Sequence, residues 1–452
     1  MEHVLDKQWL SSTARQVGFI QRATSRFEGD DFVKLLTVET LALPAISLAG
    51  MCDVLRRINP KADLSPQALS ERINSQSAVD YLKEVLHVAV ESSLRIAEEG
   101  ISPDLLAPFK RVFLEDSTTI SLHEKLVGEF KGVGGNASKA ALKINFIFDF
   151  KKHAMHELSI SAGNVPDQAR AAHAVDRLEK GDLVIRDLGY FSTTGLAAMD
   201  GLGAFYLSRL LKGVGIYLHQ DQRATSVDIV DYVDHKFTHE NMVDLDIYIG
   251  KEKIPCRLVI YRAPDAVVNE RLRKANTNAK KKGRQLSEEH KKWLRFTFFV
   301  TNVSRDVWSS DVIGTIYRIR WQIELMFKTW KSLCHIHILK GHRPERIKCL
   351  IYGRLISIVL ITMLHGFASC YCANHLQREA CLHKITEWLK RRERLSKAVQ
   401  LGQIYMLLQE LINDLPKILC KQKRKRKTTL ELIEAQVPYG DSFRNNNHKM
   451  AA

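Results

Sequence analysis

The residues best suited to chemistry lie between Tyr317 and Lys331, where a phenol, a guanidinium, a carboxylate and an ammonium follow at short intervals. In a helix of about 100° per residue, Tyr317, Arg320, Glu324 and Lys331 fall within roughly 60° of one another. The stretch therefore predicts an amphipathic helix that presents one carboxylate among cations. An exposed Arg–Glu pair four residues apart explains this face equally well, because such pairs are common and weakly stabilising. The apolar residues expected to face a core are Ile316, Ile319, Ile323, Met326, Phe327 and Trp330.

Two further carboxylates lie upstream, each where a predicted strand ends. Asp116 closes the segment 109–116, and Asp187 closes the short apolar segment 182–187. In open α/β sheets, reactive groups gather at the carboxyl ends of strands. Mg²⁺ prefers oxygen ligands, and two such ions about 3.5–4 Å apart can activate an attacking water or 3′-hydroxyl and stabilise the leaving oxygen. Asp116, Asp187 and Glu324 are therefore candidate metal ligands and catalytic residues.

The surrounding segments predict an α/β core flanked by helical regions. Residues 1–108 carry the helical apolar period, and residues 109–209 alternate strands with helices. Residues 210–292 contain short alternating strands and predict a β-rich insertion, after which the α/β pattern resumes over 293–370. Residues 371–452 predict a helical region that ends in a basic, mobile tail.

The charge balance favours a polyanionic partner. Lysine and arginine total 67 against 51 acidic residues, a net charge of +16, which suits nucleic acid or an anionic membrane surface. Ser65 followed by Pro66 predicts a helix start, and the helix pair that follows has the cadence of a helix-turn-helix, although ordinary helical bundles contain similar pairs. The basic run 421–427 either contacts DNA or only increases solubility.

Neither secretion nor membrane insertion is indicated. The N-terminus lacks the apolar segment of a signal peptide. Arg354 and His365 interrupt the apolar run 349–367, which favours a buried core helix over a membrane span. The eight irregularly spaced cysteines predict reduced thiols inside a cell. The string Cys334-His335-Ile336-His337, with His342 beyond, could bind a metal but lacks a second ligand pair at zinc-finger spacing.

The spacing Tyr317-x2-Arg320-x3-Glu324-x6-Lys331 resembles the Y-R-E-K signature of bacterial insertion-sequence transposases that carry a DDE active site. The resemblance covers roughly residues 109 to 370. Its further positions are Asp116-Ser117-Thr118, Asp187-Leu188-Gly189-Tyr190-Phe191, Arg209 and Thr301-Asn302.

This resemblance implies a ribonuclease-H-like core with an insertion between its fifth strand and last helix, in agreement with the segment 210–292. The three carboxylates would hold two Mg²⁺ or Mn²⁺ ions. The residues that would contact phosphates of double-stranded DNA are Tyr317, Arg320, Lys331 and Arg209. Relatives flip a base near the element end into an aromatic pocket, for which Trp293 and Phe296 are the nearby aromatic side chains.

The activity implied is cut-and-paste transposition through a hairpin, by a homodimer acting on the transposon ends and target DNA in the cytoplasm, at the nucleoid, with no membrane partner. A metal-dependent nuclease of the same core, which cuts without joining, is one alternative. The helical N-terminal region and the insertion favour the transposase, because end recognition needs additional DNA-binding surface. A non-catalytic DNA-binding regulator is the other alternative, and the intact acidic triad argues against it.

Overall fold

In the computed structural model, the chain forms two compact units. Unit 1 comprises Met1–Ile101, Asp116–Val165 and Ile323–Gln422, and unit 2 comprises Ser102–Glu115, Pro166–Gln322 and Lys423–Ala452. The structure describes residues 3–39, 41, 43–96, 103–134, 138–169, 175–221, 225–234, 237, 241–422 and 427–439.

Helices and strands both contribute extensively, so the α/β class predicted from the sequence is confirmed. The α-helices are α1 (Lys7–Gln16), α2 (Gly29–Lys34), α3 (Leu48–Ile58), α4 (Pro66–Ile73), α5 (Gln76–Ile96), α6 (Thr193–Gly201), α7 (Ile229–Asp234), α8 (Asp265–Lys281), α9 (Glu288–Trp293), α10 (Ile313–Tyr317), α11 (Trp321–Ser332), α12 (Pro344–Tyr371), α13 (Leu382–Lys390), α14 (Arg394–Leu401), α15 (Ile404–Asp414) and α16 (Thr429–Glu434). The strands are β1 (Val112–Leu122), β2 (Ala140–Asp149), β3 (Ala154–Ala162), β4 (Leu183–Arg186), β5 (Phe205–Arg209), β6 (Ile216–Tyr217), β7 (Met242–Ile249), β8 (Ile254–Arg262) and β9 (Phe296–Thr301).

Unit 2 contains strands in the order β1-β4-β5-β9-β8-β7-β6, of which β1 contributes only the residues up to Glu115. β1, β4 and β5 are parallel, and Leu183 lies opposite both Val112 and Phe205. The remaining pairs are antiparallel. Every residue of β4 and of β9 is buried, as expected for strands covered on both faces.

The segment between β5 and β9 supplies both strands and helices. Its strands β6, β7 and β8 continue the sheet of unit 2 beyond β9. Its basic part, residues 265–281, forms the exposed helix α8, in which no residue is fully buried. The inserted segment therefore widens the sheet of unit 2. It also contributes an exposed cationic helix, which lies between β8 and β9 in the sequence.

Unit 1 is built around α12, which packs against α5 and β3. The helical segment Pro344–Leu376 is long and apolar enough to cross a membrane by length and composition alone, and 94% of its most apolar window is buried inside the protein. Core helices of soluble proteins share both properties. The core-helix interpretation of this apolar run therefore agrees with the burial observed.

The charge within α12 is accommodated by backbone carbonyls. Arg354 is 4% exposed and donates to the carbonyls of His335 at 2.6 Å and Pro44 at 2.9 Å. Burial lowers the pKa of Arg354 to about 10. The neighbouring Gly353 permits close packing, because a Cβ there would lie 2.5 Å from the Leu36 carbonyl oxygen.

The predicted helix pair in the N-terminal region is present in unit 1. Ser65 caps α4 by accepting a hydrogen bond from the Ala68 amide at 3.1 Å, and Pro66 is the first helical residue. The following helix, α5, is largely buried, and its exposed face carries Asp80 and Glu84 beside Lys83. Because these acids would repel phosphates, α5 is poorly suited to enter a DNA groove, and a helix-turn-helix role remains a prediction.

The tail predicted to be mobile contains the helix α16 within residues 427–439, and its mobility stays a prediction. Thr428 and Glu431 form a capping box at the start of α16, and Leu432 and Ile433 are at most 1% exposed. The polar composition of the tail did not suggest a capped helix with a buried apolar edge. Most of the basic run, residues 423–426, and residues 440–452 lie outside the described residues.

Candidate active site

A buried ion pair sets the alignment of the first two parallel strands. Glu115 of β1 lies opposite Arg186 of β4. Glu115 Oε2 and Arg186 Nε are 2.5 Å apart, and the two side chains are only 6% and 4% exposed. Either charge would be costly to bury without the other, so the pair favours this register strongly. In the sequence, Asp116 follows Glu115 and Asp187 follows Arg186.

Asp116 lies inside a strand, whereas the sequence predicted it at a strand end. β1 runs from Val112 to Leu122, because the β-branched residues of the segment 117–120 continue the extended conformation. Pairing with β4 nevertheless stops at Glu115, so Asp116 is the first residue beyond the paired segment. Asp116 is partly exposed, and its Oδ1 accepts a hydrogen bond from the Ser117 amide at 2.8 Å.

Asp187 occupies the position that the sequence predicted, directly after β4. It precedes the short 3₁₀ turn Leu188–Tyr190, and its carbonyl accepts from the Tyr190 amide at 3.0 Å. Its side chain is 42% exposed, and Oδ1 lies 3.6 Å from Nε of Arg320, which is 14% exposed. In this state a guanidinium therefore balances the charge of Asp187.

The stretch that contains the Y-R-E-K spacing is helical but interrupted. α10 ends at Tyr317, a 3₁₀ turn spans Arg318–Arg320, and α11 begins at Trp321. A 3₁₀ turn advances by about 120° per residue, so the single polar stripe predicted for one continuous helix is not maintained across it. The predicted core residues are all at most 6% exposed: Ile316, Ile319, Ile323, Met326, Phe327 and Trp330.

Tyr317 is a core residue rather than a surface residue. It is 9% exposed, its hydroxyl oxygen is buried, and its ring centroid lies 5.0 Å from that of Phe299 in β9. The Arg320 guanidinium lies 5.8 Å from the centre of the Tyr317 ring. Burial raises the pKa of Tyr317, while the positive charges of Arg320 and Arg209 oppose that rise.

Glu324 and Lys331 lie on α11 in unit 1, and both are partly exposed. The apolar side of this helix packs on β2, where the ring centroid of Phe146 lies 4.9 Å from that of Trp330. Asp116 also belongs to unit 1, whereas Asp187, Arg209, Tyr317 and Arg320 belong to unit 2. Among the described residues, no three His, Cys, Asp or Glu side chains lie together as a group that could hold a metal ion.

Arg209 and Asn302 lie at the edges of the paired strands β5 and β9. Arg209 is the last residue of β5, is partly exposed, and lies opposite Phe299. The Asn302 side chain accepts from the Tyr206 amide and donates to the Ala204 carbonyl, each at 2.9 Å. Asn302 therefore holds the start of β5 in place, a structural role that its position in the family motif did not specify.

Glu115 and Arg186 were not among the residues predicted from the sequence. Their position was a usable signal, because Glu115 and Arg186 each immediately precede a candidate aspartate in an apolar strand. That the two side chains pair with each other becomes evident only from the strand register.

The candidate metal cluster at Cys334 remains unsupported, since that thiol is 2% exposed and the described residues contain no group of metal-binding side chains. Of the two aromatic residues considered for a flipped-base pocket, Phe296 is 2% exposed. The ring of the other, Trp293, stacks on Phe298 with centroids 4.0 Å apart.

Comparison with known proteins identifies the family. The family profile described as "Transposase DDE domain" matches residues 107–360, a range that covers more than half of the 452 residues. The transposase for insertion sequence element IS231B of Bacillus thuringiensis subsp. berliner is 29% identical over 450 residues, which cover 94% of this chain and 90% of the relative.

Two further relatives give the same result. The transposase for element IS231F of Bacillus thuringiensis subsp. israelensis is 30% identical over 375 residues, 80% of this chain and 78% of the relative. The transposase for element IS1151 of Clostridium perfringens is 26% identical over 368 residues, 78% of this chain and 76% of the relative. With its ribonuclease-H-like α/β core, this chain belongs to the bacterial insertion-sequence transposases that carry a DDE domain.

Proposed function

We propose that the chain binds the terminal inverted repeats of its own element, cleaves the DNA there and joins the released 3′-hydroxyl ends to target DNA. The observation that carries this proposal is the placement of Asp116 and Asp187, each directly after a strand residue of the buried Glu115–Arg186 pair. Glu324 on α11 supplies the third carboxylate. All three are partly exposed, so solvent and phosphate oxygens can reach them.

The donor set fits a hard divalent cation, because the three carboxylates offer only oxygen atoms. We propose that Asp116, Asp187 and Glu324 hold two Mg²⁺ ions, for which Mn²⁺ can substitute. When bound, two such ions would supply activation of the attacking water or 3′-hydroxyl and stabilisation of the leaving oxygen. Arg320 lies 3.6 Å from Asp187, so its guanidinium is close enough to the proposed metal ligands to contact a phosphate bound there.

Phosphate binding is assigned to the partly exposed cations. Arg320, Arg209 and Lys331 keep accessible positive charge, and charge-assisted hydrogen bonds to phosphate are strong. A direct phosphate contact by Tyr317 is not supported by its buried hydroxyl. We propose instead that Tyr317 packs on Phe299 and supports the turn that carries Arg320.

The other parts of the chain would serve recognition and assembly. The helical region 1–108 would bind the element end, and the insertion 210–292 would extend the DNA contact through the exposed cations of α8. The core would comprise 109–209 and 293–370, with 371–452 as the helical C-terminal region. A homodimer on DNA, a hairpin formed when the cleaved 3′-hydroxyl attacks the opposite strand, and action at the bacterial nucleoid complete the proposal.

The central test replaces each carboxylate singly. Asp116→Ala, Asp187→Ala and Glu324→Ala should each abolish cleavage of a duplex that carries the element's own inverted repeat, while binding to that duplex is retained. Asp265→Ala is the matched control, because Asp265 is an exposed carboxylate at the start of α8. Cleavage and binding are measured on gels with Mg²⁺ and with a chelator. Normal cleavage by any one of the three variants would remove that residue from the site.

A second assay separates the related functions. Duplexes with pre-cleaved 3′ ends are incubated with target DNA and Mg²⁺, and joined products are counted. Joining supports the transposase, whereas cleavage without joining would indicate a nuclease of the same core. Binding by the wild-type chain with neither reaction would indicate a DNA-binding regulator.

A further inference from the structure

The C-terminal segment of the described chain packs directly on α10. Tyr439 donates its amide hydrogen to the Asp311 carbonyl at 2.8 Å, and the Thr315 hydroxyl donates to the Val437 carbonyl at 2.9 Å. Asp311 precedes α10 and Thr315 lies within it, so the two hydrogen bonds lie on either side of Gly314 in the sequence. Residues more than a hundred positions later in the sequence are therefore attached to the helix that ends at Tyr317, within the same unit.

The ring of Tyr439 occupies the space that a side chain at position 314 would need. A Cβ at Gly314 would lie 2.3 Å from Tyr439 Cγ, closer than real Cβ contacts allow. Glycine inside a helix costs about 1 kcal/mol relative to alanine. Gly314 is in helical conformation, which any residue can adopt, so the backbone does not require glycine there. The space taken by the Tyr439 ring explains the glycine better.

Contacts between aromatic rings connect Tyr439 with Tyr317 in the candidate active site. The ring centroid of Tyr439 lies 4.7 Å from that of Tyr261 and 5.7 Å from that of Phe299. Phe299 in turn lies 5.0 Å from Tyr317. Tyr261 also contacts α10 through its hydroxyl, which accepts from the Gly314 amide at 3.3 Å. Tyr439 and Tyr261 therefore contact α10 at Gly314, and Phe299 links the Tyr439 ring to Tyr317.

Three arginines influence the ionisation of the Tyr439 side chain. Burial raises the pKa of Tyr439, and the positive charges of Arg271, Arg209 and Arg318 oppose that rise. Arg209 is one of the proposed phosphate contacts, and Arg318 lies in the 3₁₀ turn between Tyr317 and Arg320. Arg209 and Arg318 therefore affect both the Tyr439 side chain and the region of the proposed DNA contacts.

α10 needs external support, because it is only five residues long. Isolated helices shorter than about 12–15 residues are marginal in water, and a 3₁₀ turn follows at once. We propose that Tyr439 is a positioning residue of the transposition reaction: seated on Gly314, its ring holds α10 and the following turn so that Arg320 meets the DNA correctly. This inference rests on the proposed function for the reaction, but the packing can be measured without DNA.

The test uses full-length chains. Tyr439→Ala removes the ring, Tyr439→Phe keeps it, and Gly314→Ala displaces it. Tyr405→Ala is the matched control, because Tyr405 on α15 is 68% exposed and belongs to unit 1. Hydrogen exchange of the backbone amides of residues 313–320 reports the order of α10. Single-turnover cleavage of a saturating duplex that carries the element's own end reports the reaction.

Tyr439→Ala and Gly314→Ala should each speed exchange over residues 313–320 and lower the cleavage rate by about tenfold or more, since small misplacements of positioning groups cost that much. Tyr439→Phe should restore both measurements to near wild type, and Tyr405→Ala should change neither. If Tyr439→Ala does not fold, Tyr439→Leu replaces it. Unchanged exchange and unchanged cleavage in the ring-deleting variants would overturn the inference.

A double-mutant cycle separates positioning from general stabilisation. If Tyr439 acts through Arg320, Tyr439→Ala should cost much less in an Arg320→Ala background than in the wild type. If the fold-losses in cleavage rate of the two single variants multiply in the double variant, Tyr439 only stabilises the fold. That result would overturn its role in the reaction. Failure of the wild-type chain to cleave would overturn the proposed function, while hydrogen exchange would still show whether Tyr439 holds α10.

Discussion

Replacing Arg186 by Met should destabilise the protein far more than removing an exposed cation. Arg186 Nε and Glu115 Oε2 are 2.5 Å apart with side chains 4% and 6% exposed, so the substitution leaves a buried carboxylate without this guanidinium. Removing one partner of a buried ion pair costs about 3–5 kcal/mol. The exposed pair Lys110–Glu179, with side chains 56% and 53% exposed, is the matched control, and Lys110→Met should cost less than about 1 kcal/mol.

The free energy of unfolding is measured by urea titration of both variants and the wild type, with circular dichroism as the signal. Cleavage of the inverted-repeat duplex is measured under conditions in which each variant is folded. Arg186→Met should also reduce cleavage, because the Glu115–Arg186 pair sets the register immediately before Asp116 and Asp187. Lys110→Met should cleave normally.

A double variant tests the electrostatic reasoning. Glu115→Leu combined with Arg186→Met removes both charges and should recover much of the lost stability, since apolar replacement of a buried pair is often neutral or stabilising. If Arg186→Met costs no more than Lys110→Met, the buried pair does not stabilise the strands. If the double variant is less stable than either single variant, packing rather than charge explains the effect.

Three other predictions concern DNA binding, acid stability and the β5 edge. Arg320→Ala and Lys331→Ala should each lower the slope of log Kd against log salt by about 1, and an unchanged slope would count against a phosphate contact. Burial lowers the pKa of His153 to about 4 and of His365 to about 3, below the unfolded value of about 6.5. The unfolded chain therefore binds protons first, so urea titrations should show stability falling from about pH 6.5 towards pH 4, by up to about 1.4 kcal/mol per pH unit for each histidine; His365→Phe should reduce this dependence. Asn302→Ala should cost about 1–3 kcal/mol, because buried partners at the start of β5 lose their hydrogen bonds, and a urea midpoint equal to wild type would contradict this.

Several features depended on short-range patterns and were predictable from the sequence. The apolar residues of the 316–330 stretch were correctly predicted to be buried, because helical periodicity decides which side faces a core. The end of β4 just before Asp187 and the capped start of α4 at Ser65 follow from turn and capping chemistry within a few residues. The family resemblance likewise rested on the spacing of a few polar residues.

The long-range features depended on tertiary packing. Asp116 proved to lie inside β1, which neighbours β2 as well as β4 in the sheet, and strand length depends on pairing partners as well as on local residue types. Tyr317 was predicted on a polar stripe but is buried, because a 3₁₀ turn alters the direction of the side chains and β9 places Phe299 against it.

What the sequence determined by itself was the inventory: three carboxylates, the cations near them, and the local elements that carry them. Only the tertiary structure decided that Glu115 is neutralised by Arg186 and that Gly314 accepts the ring of Tyr439. The physical reason is that the free-energy cost of a charge or of a missing side chain is not set by its position in the sequence. Its cost depends on the group that occupies the adjacent space, and that group comes from a distant part of the sequence.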